Sequence, residues 1–153
     1  MAVQVVILAA GMGTRLGKPW PKPLTPLADG RSIMQQQLEN VEKVFRSEAR
    51  TTIVVGFKLE MIMEAHPDSS FVYNENYDQT NTSKSLLKAL RASHEPGVLW
   101  LNGDVVFDSR VLERVKERIH GEKSFVCVNT SATAEEEVKY TVDANGNINA
   151  LSK

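Results

Sequence analysis

A hydrophobic strand that runs directly into a glycine-rich turn is the feature that most constrains how this chain can fold. The strand has the sequence VVILAA at residues 5–10, and the turn GMGTRLG follows at residues 11–17. Glycine lets a backbone bend sharply or approach a ligand closely, and successive N–H groups in such a turn can surround an anion. Arg15 lies in the turn, and Lys22 follows it between two prolines. Together these features predict a loop that binds a polyphosphate through its backbone, one guanidinium and one ammonium group.

Segments with the patterns of strands and helices alternate along the rest of the chain. The patterns predict strands at residues 4–9, 51–55, 71–73, 97–101 and 124–128, and helices at residues 32–45, 58–65, 83–92 and 108–119. Asn145-Gly146, between residues 138–142 and 148–151, is typical of a hairpin turn. The alternation predicts an α/β fold in three layers, with a mostly parallel sheet, helices on both faces and an antiparallel hairpin at the edge. A length of 153 residues favours a single domain.

Composition and charge narrow the classes of partner. The net charge of -1 gives no basic surface from which to expect nucleic-acid binding. No apolar run approaches the roughly 20 residues that a membrane-spanning helix needs. Cys127 is the one cysteine, and its place in the run FVCV at residues 125–128 predicts a buried, reduced thiol. We therefore expect a cytoplasmic protein in which local charges such as Arg15 and Lys22 hold any anionic ligand.

A second candidate site residue, Asp104, follows the apolar run VLWL at residues 98–101. A carboxylate there would cost several kcal/mol if it were buried without a partner, so we expect it to be hydrogen-bonded, paired or bound to a metal. In parallel sheets, ligands bind beyond the carboxyl ends of the strands. The glycine turn and Asp104 both follow strands, which predicts that they meet at one edge of the sheet.

Two other phosphate-binding motifs fail in detail. The dinucleotide fingerprint G-x-G-x-x-G requires glycine at position 16, where this chain has Leu16, so an oxidoreductase is disfavoured. A P-loop that ended at Gly17-Lys18 would require glycine at position 12 and a hydroxyl residue at position 19. The chain has Met12 and Pro19 instead.

The sequence LAAGMGTRL at residues 8–16, followed by PKPL at residues 21–24, resembles the amino-terminal motif of the nucleotidyltransferases that join a nucleoside triphosphate to a phosphorylated acceptor. The resemblance continues through Asn102-Gly103-Asp104 to the hairpin, so we expect residues 1–153 to form one such domain, truncated at its carboxyl end. It implies the Rossmann-like nucleotidyltransferase fold, with Mg²⁺ as the cofactor. The loop residues that it implies bind the nucleotide are Leu8, Ala10, Gly11, Met12, Gly13, Thr14 and Arg15.

The resemblance also implies roles for three residues as the catalytic set. Arg15 would orient and neutralise the leaving pyrophosphate, Lys22 would bind the α-phosphate and the acceptor phosphate, and Asp104 would be a Mg²⁺ ligand. The alternatives are a solvated loop lysine for Lys22 and a turn or cap aspartate for Asp104. In the family a second aspartate from late in the chain completes the metal site, and we find no substitute for it before Lys153. A nucleotide-binding module without turnover is therefore the alternative function.

The polar segment NYDQTNTSKSL at residues 76–86 is the candidate base-binding segment. Thr80-Asn81 before Ser85-Leu86 is similar to the subgroup that activates phosphocholine or related small phosphorylated alcohols with CTP. This similarity implies that Thr80, Asn81 and Ser85 line the base and ribose pocket, although helix capping by Asn81 or Thr82 is equally compatible with the sequence. We expect a cytidylyltransferase-like enzyme for which phosphocholine-like molecules or sugar phosphates are the acceptors. The exposed hairpin would also offer an edge for pairing with a second copy of the chain.

Overall fold

In the computed structural model, which describes residues 2–13, 19–93, 97–129 and 137–152, strands and helices alternate as the sequence predicts. The strands are β1 (Val3–Ala9), β2 (Ala49–Val55), β3 (Ser70–Tyr73), β4 (Leu99–Asn102), β5 (Lys139–Val142) and β6 (Ile148–Ser152). The α-helices are α1 (Ile33–Phe45), α2 (Leu59–Ala65), α3 (Thr82–Ala92) and α4 (Arg110–His120). A short 3₁₀ turn at Lys22–Leu24 lies between β1 and α1.

The four parallel strands follow the order β3-β2-β1-β4, with β1 hydrogen-bonded on both sides. In the register, Leu8 is opposite Asn102, Ala9 is opposite Val55, and Val55 is opposite Tyr73. All four strands therefore end at the same edge of the sheet. This edge gathers the loops that follow the strands, as the parallel topology predicts.

Helices cover both faces of the sheet, which confirms the three-layer α/β prediction. On one face, Val3, Val5, Ile7 and Ala9 of β1 pack with buried residues of α1, α2 and α4. On the other face, β1 contributes Val6 and Leu8, which pack with Ala89 of α3. Because β1 is covered on both faces, its sequence is almost continuously apolar rather than alternating.

Helix α1 begins as the sequence predicts. The Ser32 hydroxyl oxygen accepts a hydrogen bond from the Gln35 backbone N–H at 3.1 Å, and this contact satisfies one unpaired donor of the first turn. The Gln35 side chain does not return to Ser32 but donates to Glu39 at 3.1 Å. The cap is thus half of the reciprocal arrangement that a capping box would have.

Three expectations for the second half of the chain are wrong. Residues 124–128 do not form a strand, and the Val126 side chain is 60% exposed. An apolar, β-branched run becomes a strand only when a neighbouring strand pairs with it. Cys127, in the same segment, is exposed rather than buried. The hairpin of β5 and β6 forms a separate two-stranded sheet and is not an edge of the parallel sheet.

No helix in the described part of the chain is both long and apolar enough to cross a membrane.

Replacing Gly56 with alanine should destabilise the fold at the end of β2. A Cβ atom at Gly56 would lie 2.7 Å from the Ala10 carbonyl oxygen and 2.5 Å from the Tyr77 Cβ atom, so backbone would have to move. We expect Gly56→Ala to lower the free energy of unfolding by about 1–3 kcal/mol, the usual cost of overpacking. Gly97→Ala is the matched control, since a Cβ atom there meets nothing within 4 Å. Urea denaturation measures both, and equal stability of the two variants would contradict the packing argument.

Candidate active site

Backbone contacts, rather than side chains, bring the strand ends together around β1. The Gly103 N–H donates to the Leu8 carbonyl oxygen at 2.9 Å, and the Phe57 N–H donates to the Ala10 carbonyl oxygen at 3.2 Å. Gly103 and Gly56 make this approach possible, because a Cβ atom at either position would lie 2.7 Å from one of these carbonyl oxygens. The predicted nucleotide-binding residues Leu8 and Ala10 therefore have buried side chains, and their carbonyl oxygens already accept hydrogen bonds from the neighbouring loops.

The glycine loop leaves the sheet between these two neighbours. Gly13 has a φ of 60°, in the left-handed region that favours glycine, and a Cβ atom there would lie 3.0 Å from Lys22 Cγ. Gly11 has open space around it, and Met12 is 39% exposed. Thr14 and Arg15, which sequence reasoning placed in the same phosphate site, lie outside the described residues. The described part of the loop thus presents an open surface next to the stem of Lys22.

Two buried prolines hold the backbone of Lys22. Pro21 and Pro23 are buried on either side of it, and the 3₁₀ turn is closed by hydrogen bonds from Leu24 N–H to the Pro21 carbonyl and from Thr25 N–H to the Lys22 carbonyl, both at 2.9 Å. A Cβ atom at Gly103 would lie 3.0 Å from Pro23 Cγ, so this turn also packs against the end of β4. The sequence PKPL therefore fixes the lysine main chain while the side chain projects.

Lys22 and Asp104, which are 82 positions apart, meet at this edge. The Lys22 Nζ atom donates to Asp104 Oδ2 at 3.5 Å, and their side chains are 31% and 46% exposed. An exposed ion pair of this length contributes about 0–1 kcal/mol to stability, so the contact explains little of the fold. Both groups remain accessible to a ligand. The structure thus brings together two of the three residues predicted to be catalytic.

Helix α1 holds the segment that carries Asp104. The Gln37 side-chain Nε2 donates to the carbonyl oxygens of Asn102 at 2.9 Å and Val105 at 2.6 Å. Asn40 Nδ2 donates to the Phe107 carbonyl at 2.7 Å. Sequence reasoning missed both side chains. The available signal was Gln37 itself, a polar residue three positions after Met34 and four before Val41 on the buried stripe of the helix.

Asp108 has a structural role at the start of α4. Its Oδ1 atom accepts a hydrogen bond at 2.9 Å from the backbone N–H of Arg110, the first residue of the helix, two positions further on, as in an Asx turn. The Arg110 guanidinium also donates to both carboxylate oxygens, and these contacts lower the pKa of Asp108 to about 2. The Asp108 carboxylate is therefore taken up by Arg110, and Asp104 is left as the carboxylate that faces Lys22.

The candidate base-binding loop is organised by a residue that sequence reasoning did not single out. Asn74 is fully buried, and its Nδ2 atom donates to the hydroxyl oxygens of Thr80 at 2.9 Å and Ser85 at 3.0 Å. Thr80 in turn donates to the Asn76 carbonyl at 2.7 Å. Asn81 is exposed and caps α3 by accepting a hydrogen bond from the Lys84 N–H at 3.3 Å. These contacts explain how the loop is held, and they occupy polar groups that a base or ribose would otherwise use.

A comparison with protein families matches the MobA-like NTP transferase domain over residues 5–153. Among curated relatives, CMP-5'-(3-aminopropyl)phosphonate synthase of Streptomyces rubellomurinus is 39% identical over 122 residues, which are 74% of this chain and 19% of that protein. The bifunctional protein GlmU of Trichormus variabilis is 29% identical over 148 residues, which are 95% of this chain and 32% of GlmU. The chain therefore spans between about a fifth and a third of the length of these relatives.

Solved structures show the same fold. A nucleotidyl transferase from Methanothermobacter thermautotroptrophicus matches with a TM-score of 0.63 and 26% identity, over 76% of this chain and 57% of that one. CTP:phosphocholine cytidylyltransferase from Streptococcus pneumoniae matches with a TM-score of 0.54 and 24% identity, over 68% of this chain and 46% of that one. With a family match that covers all but the first four residues, the chain belongs to the nucleotidyltransferases with a MobA-like NTP transferase domain.

Proposed function

We propose that this chain binds a nucleoside triphosphate at the carboxyl edge of its sheet and, with Mg²⁺, transfers the nucleoside monophosphate to a phosphorylated small molecule. The observation that carries the proposal is the meeting of Lys22 and Asp104 beside the glycine loop. Two phosphorylated anions must approach each other in such a reaction, and fixed positive charge reduces their repulsion. Lys22 supplies that charge from a backbone that is already held in place.

We favour CTP as the nucleotide. The relative from Streptomyces rubellomurinus is named as the synthase of a cytidine monophosphate joined to a small aminophosphonate, and it is 39% identical to this chain. The resemblance of Thr80-Asn81 and Ser85-Leu86 to the phosphocholine-activating subgroup points to the same base. The favoured acceptors are small phosphocholine-like molecules, with sugar phosphates as the other class. Both offer a phosphate oxygen as the nucleophile.

The chemistry needs no covalent enzyme nucleophile. An oxygen of the acceptor phosphate attacks the α-phosphorus and forms a new oxygen–phosphorus bond. The bond from the α-phosphorus to the bridging oxygen breaks, and pyrophosphate leaves with that electron pair. Lys22 contacts the α-phosphate and the acceptor phosphate, and Arg15 neutralises the pyrophosphate. Positioning and charge therefore account for the catalysis that this chain would provide.

Asp104 fits the role of a Mg²⁺ ligand. Its side chain is 46% exposed, and Lys22 approaches only its Oδ2 atom. Mg²⁺ usually keeps several waters and is held by one or two carboxylates together with substrate phosphates, so one accessible carboxylate beside a phosphate site suits it. When bound, the ion would neutralise phosphate charge.

Nucleotide binding without turnover is the second candidate. Among the residues that the structure describes, no three or more carboxylate, imidazole or thiol side chains form a group that could hold a metal ion. A site with Asp104 and Lys22 alone would retain a triphosphate more readily than it would complete a transfer.

A pyrophosphate-release assay distinguishes the two functions when CTP, ATP, GTP, UTP and dTTP are each paired with phosphocholine, sugar phosphates and aminophosphonates.

Turnover in that assay should depend on both charged residues at the sheet edge. We expect Lys22→Met and Asp104→Asn each to lower kcat by about 100-fold or more, because each removes a charge that acts on the reacting phosphates. Lys123→Met and Asp68→Asn are matched controls: each removes the same charge from an exposed residue outside the loops that gather at the carboxyl edge. Full activity in either site variant would rule out its proposed role. Triphosphate binding without pyrophosphate release in the wild-type chain would favour the binding module.

Substitutions at the two glycines of the loop should differ in their effect on stability. Gly13→Ala should lower the free energy of unfolding by about 1–2 kcal/mol, because alanine is strained at a positive φ. It should also weaken triphosphate binding by displacing the Lys22 stem. Gly11→Ala has open space and should leave stability unchanged, while weakening triphosphate binding if the phosphates approach the backbone there. Denaturation and calorimetry measure the two effects, and wild-type affinity in both variants would contradict a phosphate site in this loop.

A further inference from the structure

We infer that Gln37, in the middle of α1, is a positioning residue that sets the place of the Asp104 carboxylate. The inference rests on the proposed function, because it concerns the carboxylate assigned to the metal and its nucleotide. The Gln37 side chain is completely buried, and its one amide nitrogen donates to two carbonyl oxygens. Those carbonyls belong to Asn102 and Val105, which flank Gly103-Asp104. A single amide therefore spans the turn that carries the carboxylate.

The orientation of this amide follows from its surroundings. If the amide were turned over, its Oε1 atom would face two carbonyl oxygens, which are acceptors and cannot donate a hydrogen bond. In the observed orientation Oε1 is buried, and none of the described residues donates to it. A buried polar atom without a partner is unfavourable, so an apolar side chain would be the better choice for core stability alone. The two hydrogen bonds to the turn account for the presence of glutamine here.

The turn is held from two sides. From β1, the Leu8 carbonyl accepts the Gly103 N–H at 2.9 Å, and the turn itself is closed by the Val105 N–H on the Asn102 carbonyl at 3.3 Å. From α1, Gln37 fixes the carbonyls at both ends of the turn. The Asp104 side chain is left to project toward Lys22. Without Gln37, only the β1 side of the turn would stay fixed, and the carboxylate would sample other directions.

The same helix offers a matched control. Asn40 lies three positions after Gln37 and donates one amide hydrogen bond to the carbonyl of Phe107, which is three residues beyond Asp104. Asn40→Leu therefore removes a similar bond between α1 and the same segment without releasing the turn itself. Gln37→Met removes both bonds to the turn and keeps the volume of the side chain.

The test measures two properties of the wild-type chain and of both variants. Amide hydrogen exchange without nucleotide reports whether the turn is held, and calorimetry with CTP at several Mg²⁺ concentrations reports whether the carboxylate is placed. We expect faster exchange at Val105, whose N–H closes the turn, in Gln37→Met alone, while Gly103 stays protected by its bond to Leu8. We also expect the Mg²⁺-dependent part of CTP affinity to fall about 10- to 100-fold, as it does when partners that orient metal ligands are lost. CTP binding without Mg²⁺ should be unchanged.

Double variants separate positioning from general destabilisation. In an Asp104→Asn background, Gln37→Met should cause no further loss of affinity, because the two changes act through one carboxylate. Additive losses, unchanged exchange at Val105, or unchanged Mg²⁺ dependence would each overturn the inference. If Gln37→Met folds poorly, Gln37→Leu serves in its place, since it also removes the amide donors and places an apolar side chain in this buried position. A wild-type chain that binds no triphosphate would refute the proposed function, while the exchange data would still decide whether Gln37 holds the turn.

Discussion

The close approach of neighbouring backbones to the end of β1 is the constraint on which the rest of the site depends. Gly56 and Gly103 follow the two strands beside β1. A Cβ atom at Gly56 would lie 2.7 Å from the Ala10 carbonyl oxygen, and one at Gly103 would lie 2.7 Å from the Leu8 carbonyl oxygen. Backbone hydrogen bonds then fasten the loops on either side of the glycine turn. Because these contacts use the main chain, they leave the side chains of Lys22 and Asp104 accessible to a ligand. The loops that begin at Gly56 and Gly103 are therefore held by the main chain before any ligand arrives.

Helix α1 links this edge to the core through two kinds of contact. Met34, Val41 and Phe45 are buried against the sheet, and each such side chain contributes about 1.5–3 kcal/mol of hydrophobic stabilisation. Gln37 and Asn40 make hydrogen bonds to the segment after β4, which are worth about 1 kcal/mol each. Apolar burial thus supplies most of the stability of the helix, while its polar contacts determine where the segment with Asp104 lies.

Local patterns were enough to predict β1, the start of α1 and the parallel sheet. The meeting of Lys22 with Asp104 also followed from the sequence, because parallel strands end at a common edge. The apolar run around Trp100 predicts a core position for this residue, yet its side chain is 46% exposed. The reason is that α3 packs against β1 and β2 rather than over β4. Gln37 and Asn74 act on backbone or hydroxyl groups that only the folded chain brings near. Their burial depends on tertiary packing, which a helical or loop pattern does not specify.

The contact between Gly13 and the stem of Lys22 has a thermodynamic consequence. A free lysine side chain has many rotamers, and ordering them on binding costs up to about 2 kcal/mol of conformational entropy. Here the methylene groups lie against the loop, and the ammonium group meets a carboxylate, so much of that freedom is already lost in the folded chain. An arriving phosphate would meet a cation that is largely preorganised, and more of the electrostatic attraction would appear as affinity.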